Sequence, residues 1–120
     1  MPDKNRMIRI NDEIKRETAG IIRSELKDPR IREIAHVGVS VVRASATNDL
    51  KYCKIYVSVL GDADLKKEVM EGLTNAQGFI RRQLAERINL RNTPEITFVL
   101  DESLEHGMRM EKLIDSVVGK

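Results

Sequence analysis

The stretch TNAQGFIRRQLAERI, residues 74–88, decides the fold because a glycine stands inside a segment that otherwise reads as helix. Apolar residues recur every four positions on both sides of this glycine: Leu65, Val69, Leu73, Ile80, Leu84 and Ile88. Glycine inside a helix costs about 1 kcal/mol relative to alanine, so its presence needs a reason. We interpret Ala76 and Gly78 as a structural kink whose small side chains let two helices meet at an angle and pack closely. The alternative is a tolerated glycine in one slightly bent helix.

A first helix and three strands surround this helical pair. The first helix has an apolar face that includes Ile10, Ile14 and Ile21. It is predicted to end before Pro29, because a residue that precedes proline is disfavoured in the α conformation. Alternating apolar and polar residues predict strands in AHVGVSVVRAS (35–45), KYCKIYVSVL (51–60) and EITFVLD (95–101), with a hairpin loop at Ser45–Leu50.

The resulting order of elements is α-β-β-α-kink-α-β, with an extra C-terminal helix at about residues 104–118. An Asp in the loop Gly61–Asp64 is expected to cap the second helix, and Asp101 or Ser103 the last one. The first two strands form an antiparallel hairpin, and the helical pair is long enough to return the third strand parallel to the second. We therefore expect an α+β fold with a three-stranded mixed sheet. This is the order of a type II KH-like domain, here a single RNA-binding domain over residues 1–120.

Composition limits the class of protein. The 120 residues are 41% hydrophobic but only 3% aromatic, so the core is built from aliphatic side chains. A single cysteine excludes an intramolecular disulfide, and two histidines leave no recognisable metal-ligand spacing. The sequence shows no apolar run near 18 residues and no h-region typical of a signal peptide. We expect a cytoplasmic, monomeric protein without a cofactor or a metal.

Positive charge is concentrated in two segments although the net charge is only +2. Residues 1–32 carry nine basic and six acidic residues, and residues 79–94 carry four and one. Basic residues seven positions apart lie on one stripe of a helix, which suits contacts to RNA phosphates. A solvated helix face is the alternative for any one of them. The predicted RNA-binding residues are Arg9, Arg16, Arg23, Lys27 and Arg30 in the first segment and Arg81, Arg82, Arg87 and Arg91 in the second.

Other polar side chains offer little chemistry. Tyr52 and Tyr56 point to the outer face of the second strand and are candidates for base stacking, although such tyrosines more often just cover a sheet. Cys53 alternates with apolar residues and is expected in the core. Neither His36 nor His106 has a nucleophile and an orienting group around it, and no phosphate-binding glycine loop exists. We expect no enzymatic activity and no catalytic residues.

Several motifs in the chain resemble the ribosome-binding factor A family. They are LTNAQGFIRRQLAERINLRNTPEITFVLDESLEHG (73–107), LKDPRI (26–31) and LID (113–115). The resemblance spans nearly the whole chain and implies a KH-like fold in which an Ala-x-Gly kink replaces the Gly-x-x-Gly loop of typical KH domains. It also implies binding to the immature 30S small ribosomal subunit and help with 16S rRNA maturation, including 5′-end processing and growth in the cold.

Two hypotheses of function therefore stand first. One is a non-catalytic assembly factor that binds rRNA of the small subunit through its arginines. The other is a protein-interaction module that docks an assembly GTPase or a ribosomal protein through the open sheet face or the C-terminal helix. A small enzyme is the weakest hypothesis, because no catalytic constellation is found.

Overall fold

The computed structural model describes residues 4–24 and 38–103, which form three helices and three strands. The predicted C-terminal helix at about 104–118, the helix end at Pro29 and the first residues of the first predicted strand lie outside the described residues. The order of the remaining elements is as predicted. In chain order they are α1 (Lys4–Ser24), β1 (Val39–Ala46), β2 (Tyr52–Val59), α2 (Ala63–Asn75), α3 (Gln77–Arg87) and β3 (Glu95–Leu100).

The sheet has the strand order β1-β2-β3, with β1 antiparallel and β3 parallel to β2. The predicted mixed sheet is thus confirmed. The predicted start of the hairpin loop at Ser45 is wrong, since β1 continues to Ala46, which pairs with Cys53. The side-chain oxygen Oδ1 of Asn11 accepts a hydrogen bond from the Ala46 N–H at 2.9 Å. This contact from α1 holds the end of the strand extended.

A β-bulge interrupts β1. Val41 pairs with Val57 and Arg43 pairs with Tyr56, so Val42 is an extra residue without a partner in β2. Because side chains alternate along a strand, the extra residue resets which positions face the core. Arg43 consequently shares the outer face of the sheet with Tyr56.

All three helices cover one face of the sheet and enclose one core. The helix α1 packs against β1 and α3, and both α2 and α3 pack against β3. Cys53 lies in this core as predicted, and burial raises the pKa of its thiol to about 11. The core residues from the helices are Ile10, Ile14, Ile21, Ile22, Val69, Leu73, Ile80 and Leu84, and those from the strands include Ile55, Val57, Val59, Ile96 and Phe98.

The predicted break between the two central helices lies at Ala76. Its backbone has φ −90° and ψ 0°, and its N–H is shared between the carbonyls of Gly72 and Leu73, each 3.1 Å away. Gly78 is in the first turn of α3 and is exposed. Among the described residues, a Cβ built on Gly78 would meet only the Arg82 Nη1 atom at 3.6 Å, an ordinary contact distance. Packing against residues 4–24 and 38–103 therefore does not require glycine at position 78.

The start of α2 is capped as predicted. The Asp62 carboxylate accepts a hydrogen bond from the Leu65 N–H at 2.8 Å. The preceding Gly61 has φ 149°, and a Cβ built on it would overlap the Leu65 side chain. The Asp101 carboxylate accepts bonds from both the side chain and the backbone N–H of Ser103, which together lower the pKa of Asp101. That arrangement suits a helix cap, but the helix it was predicted to cap lies outside the described residues.

Candidate nucleic-acid interface

The three arginines of α1 predicted to bind RNA are exposed and lie along one side of the helix. They are Arg9, Arg16 and Arg23, and the opposite side carries the buried Ile14 and Ile21. A strict seven-residue spacing drifts by only about 20° per repeat on a straight helix, which keeps the stripe narrow. None of the three forms an ion pair within the described part of the chain. Their guanidinium groups are therefore available to an anionic partner.

The basic residues of α3 do not form a single patch, because successive positions on a helix are rotated by about 100°. Arg82 is exposed on the side of α3 opposite the buried Ile80 and Leu84. Arg81 points toward the segment before β3, where its Nε and Nη2 atoms donate to the Thr93 carbonyl at 3.2 and 3.0 Å. The side chains of residues 81 and 82 thus lie on different surfaces of the molecule.

The last two predicted arginines also diverge. Arg87 donates to the Glu17 carboxylate of α1 at 3.3 Å and so links the two helices. Arg91 follows α3 and lines a groove together with Arg6 and Asn48. The Arg87 side chain is only 28% exposed and is held by an internal carboxylate, so its primary contact is structural.

One basic surface nevertheless results on the helical side of the molecule. Because α1 and α3 lie on the same face of the sheet and contact each other, their exposed sides form a continuous surface. We call Arg9, Arg16, Arg23 and Arg82 the helix-face arginines. Planar guanidinium groups arranged in this way suit contacts to the phosphate backbone, which position a protein without reading base sequence.

The two tyrosines on the outer face of the sheet differ in their exposure to solvent. Tyr52 is 58% exposed at the start of β2. Tyr56 is half-buried, and the Arg43 guanidinium carbon lies 4.0 Å from its ring centre. This cation–π contact covers one face of the Tyr56 ring. Of the two candidates for base stacking, Tyr52 is the accessible one.

Lys27 and Arg30, which were also predicted to contact RNA, lie outside the described residues. Among residues 4–24 and 38–103, no three His, Cys, Asp or Glu side chains are grouped to hold a metal ion. The same part of the chain contains no helix with the length and apolarity needed to cross a membrane.

The sequence of this chain is similar to those of known proteins. The sequence model of the family described as ribosome-binding factor A matches residues 6–114. The chain belongs to the ribosome-binding factor A family. A ribosome-binding factor A from Lachnospira eligens is 55% identical over 109 residues, which make up 91% of this chain and 81% of that protein. The resemblance noted from the sequence motifs is thereby confirmed.

Solved structures of ribosome-binding factor A proteins share the fold. The solution structure of a putative ribosome-binding factor A from Thermotoga maritima has a TM-score of 0.71 and 31% identity, covering 86% of this chain and 93% of that one. A homology model of the Thermus thermophilus protein, fitted into a cryo-EM map of a 30S complex, has a TM-score of 0.59 and covers 77% of this chain and 91% of that one. At 20% identity the latter likeness concerns the fold alone.

The sequence analysis did not single out two basic residues that the structure places beside candidate sites, Arg6 at a groove and Arg43 on the outer face of the sheet. Arg6 lies three positions before Arg9, on the flank of α1 and not on its seven-residue stripe, and it joins Arg91 at one groove. Arg43 reaches Tyr56 only because of the bulge at Val42. The side of α1 that carries Arg6 could have been found from helical geometry, whereas the bulge has no marker in the sequence.

Proposed function

We propose that this member of the ribosome-binding factor A family is a non-catalytic assembly factor. It binds the immature 30S small ribosomal subunit in the cytoplasm and assists maturation of 16S rRNA, including 5′-end processing and growth in the cold. The observation that carries the proposal is the set of helix-face arginines. These are four exposed guanidinium groups on one surface that make no ion pair within the described residues.

The comparisons support the ribosome as the partner. The name of the family refers to ribosome binding, and a homology model of a Thermus thermophilus member was fitted into the cryo-EM map of its complex with the 30S subunit. A polyanionic partner also agrees with the charge distribution, since basic residues are concentrated in α1 and after the kink while the net charge is only +2.

The helix-face arginines would act by binding one conformation of rRNA more tightly than others and not by catalysing a reaction. Each phosphate contact releases condensed counterions, so binding is favourable and depends strongly on salt. A protein that binds one conformation of rRNA more tightly than another shifts the rRNA population toward the first. The protein then dissociates when the mature fold no longer presents the phosphates at the spacing of the helix-face arginines.

The test is co-sedimentation with purified immature and mature small subunits over a salt series. We expect preference for immature particles and a steep decline of binding with salt. The double variant Arg16→Gln/Arg23→Gln should weaken association and reduce the slope of log K against log salt by about 0.7 to 0.9 for each phosphate that is no longer neutralised. Its matched control is Lys4→Gln/Lys15→Gln, which removes the same charge from α1 at positions off the stripe.

Two results would contradict the proposal. Equal effects of the two double variants would mean that only net charge matters and that the stripe has no specific role. Salt-insensitive association with a purified GTPase or ribosomal protein, together with no affinity for the particles, would favour the protein-interaction module instead.

A further inference from the structure

Two adjoining grooves open where the hairpin between β1 and β2 meets the start of α1 and the segment that precedes β3. Their volumes are about 610 and 500 Å³, and both are lined by Leu50 and Asn92. We call the pair the hairpin groove. None of the kink residues 76–78 lines it. It is therefore a surface separate from the helical break, and its size is in the range of ligand-binding clefts.

The hairpin groove is rich in positive charge. Its cationic side chains are Arg6, Lys51, Arg81 and Arg91, and its acidic ones are Asp49 and Glu95. Arg6 and Arg91 make no hydrogen bond or ion pair within the described residues. Two unpaired guanidinium groups beside one cleft are a repulsive arrangement that an anionic ligand would relieve.

The acidic residue that lines the same groove as these arginines, Asp49, is engaged within the hairpin. The Asp49 Oδ1 atom accepts hydrogen bonds from the Thr47 hydroxyl at 2.7 Å and from the Lys51 N–H at 3.1 Å. These bonds lower the pKa of Asp49, so the carboxylate is occupied in holding the turn. Arg81 is likewise fixed by its two bonds to the Thr93 carbonyl, which set its guanidinium at the groove wall before any ligand arrives.

The groove also offers apolar and aromatic surface. Its floor includes Ile10 and Leu50, both buried. Leu50 adopts a left-handed backbone with φ 58°, a conformation that costs a non-glycine residue about 1–2 kcal/mol. Such strain is found preferentially at ligand sites. Tyr52 stands exposed at the rim, and the amides of Asn48 and Asn92 provide both donors and acceptors for base edges.

We propose that the hairpin groove binds a single-stranded segment of RNA. Arg6 and Arg91 contact its phosphates, and one base stacks on Tyr52. A duplex is too wide to enter a cleft of this volume, whereas unpaired nucleotides can be splayed into it and stacked on an aromatic ring. The inference rests on the proposed function, because rRNA is the natural source of the strand. It adds recognition of unpaired nucleotides to the backbone contacts of the helix-face arginines.

The test measures fluorescence anisotropy of a short unstructured RNA oligonucleotide and of a blunt-ended RNA duplex of equal charge. The variant Arg6→Gln/Arg91→Gln should raise the Kd for the single strand about tenfold and lower its salt slope by about 1.4, as expected when two phosphates are no longer neutralised. The Kd for the duplex should change little. The matched control Lys15→Gln/Lys67→Gln removes the same charge at positions outside the hairpin groove and outside the helix-face arginines, and it should leave binding of the single strand nearly unchanged.

A second pair of variants isolates stacking. Tyr52→Ser should raise the Kd for the single strand about tenfold, whereas Tyr52→Phe keeps the ring and should retain affinity. Equally weakened binding of the single strand and of the duplex would overturn the inference. So would unchanged binding of the single strand together with abolished particle binding, because the groove would then serve a ribosomal protein. No ribosomal particle enters the anisotropy assay, so its failure is distinguishable from failure of the proposed function.

Discussion

Gly78 can be replaced by alanine with a gain in stability. The backbone of Gly78 is not in the left-handed region. The added Cβ would lie 3.6 Å from the Nη1 atom at the flexible end of the Arg82 side chain. Alanine in a helix is favoured over glycine by about 0.5–1 kcal/mol, mainly because glycine loses more backbone freedom on folding. For a domain of this length, Gly78→Ala should raise the thermal unfolding midpoint by about 2–4 °C. This midpoint is measured by following the helical circular dichroism signal during thermal unfolding.

The same substitution at two other glycines provides controls of opposite sign. Gly20→Ala in the interior of α1 should also stabilise, since the new Cβ would lie 3.7 Å from the Arg87 Nη1 atom. Gly61→Ala should destabilise by about 1 kcal/mol or more, because φ is 149° and the Cβ would overlap Leu65. A lowered midpoint for Gly78→Ala would refute the view that the kink packs without needing this glycine. If Gly78→Ala is more stable than the wild type but associates more weakly with small subunits, the loss is due to the changed surface at position 78 and not to unfolding.

Three further changes test the structure at single side chains. Thr18 is fully buried and its hydroxyl has no hydrogen-bond partner within the described residues, so Thr18→Val should stabilise by about 1 kcal/mol, seen as a higher urea midpoint with an unchanged m-value. Asp62→Ala removes the cap of α2 and should cost about 1 kcal/mol in the same measurement, while Asp62→Asn should retain most of the stability. The pKa of Asp49 is lowered in the folded state, so its ionised form stabilises the fold above the ordinary value of 3.8 and that contribution is lost as the pH falls through the lowered pKa. The stability difference between wild type and Asp49→Asn should therefore shrink under acid, and a difference independent of pH would contradict this assignment.

The parts of the fold that follow local periodicity could be predicted from the sequence. The apolar faces of α1 and β2 repeat at the helical and strand periods, and the break at Ala76 was indicated by small residues inside a helical pattern. The bulge at Val42 could not be predicted, because one extra valine in a valine-rich strand has no signature of its own.

The candidate sites also divide into one that follows from local periodicity and one that depends on tertiary packing. The stripe of Arg9, Arg16 and Arg23 depends on spacing within one helix and could be predicted. The hairpin groove could not, since it joins Arg6 and Arg91 from distant parts of the chain, and only the tertiary packing of α1 brings them together. Arg81 and Arg82 were predicted as parts of one patch, and their side chains point in different directions because adjacent helical positions are rotated by about 100°.

The hydrogen bond from the Ala46 N–H to Asn11 has a consequence for how copies of this protein behave toward one another. The strand β1 is the outermost of the sheet on its side, and unpaired amides there are templates for the addition of a foreign strand. Asn11 occupies one of these amides, and the bulge at Val42 breaks the regular spacing along the rest of the edge. Edge-to-edge pairing through β1 is thus disfavoured, so copies of this protein at high concentration should not associate through this strand.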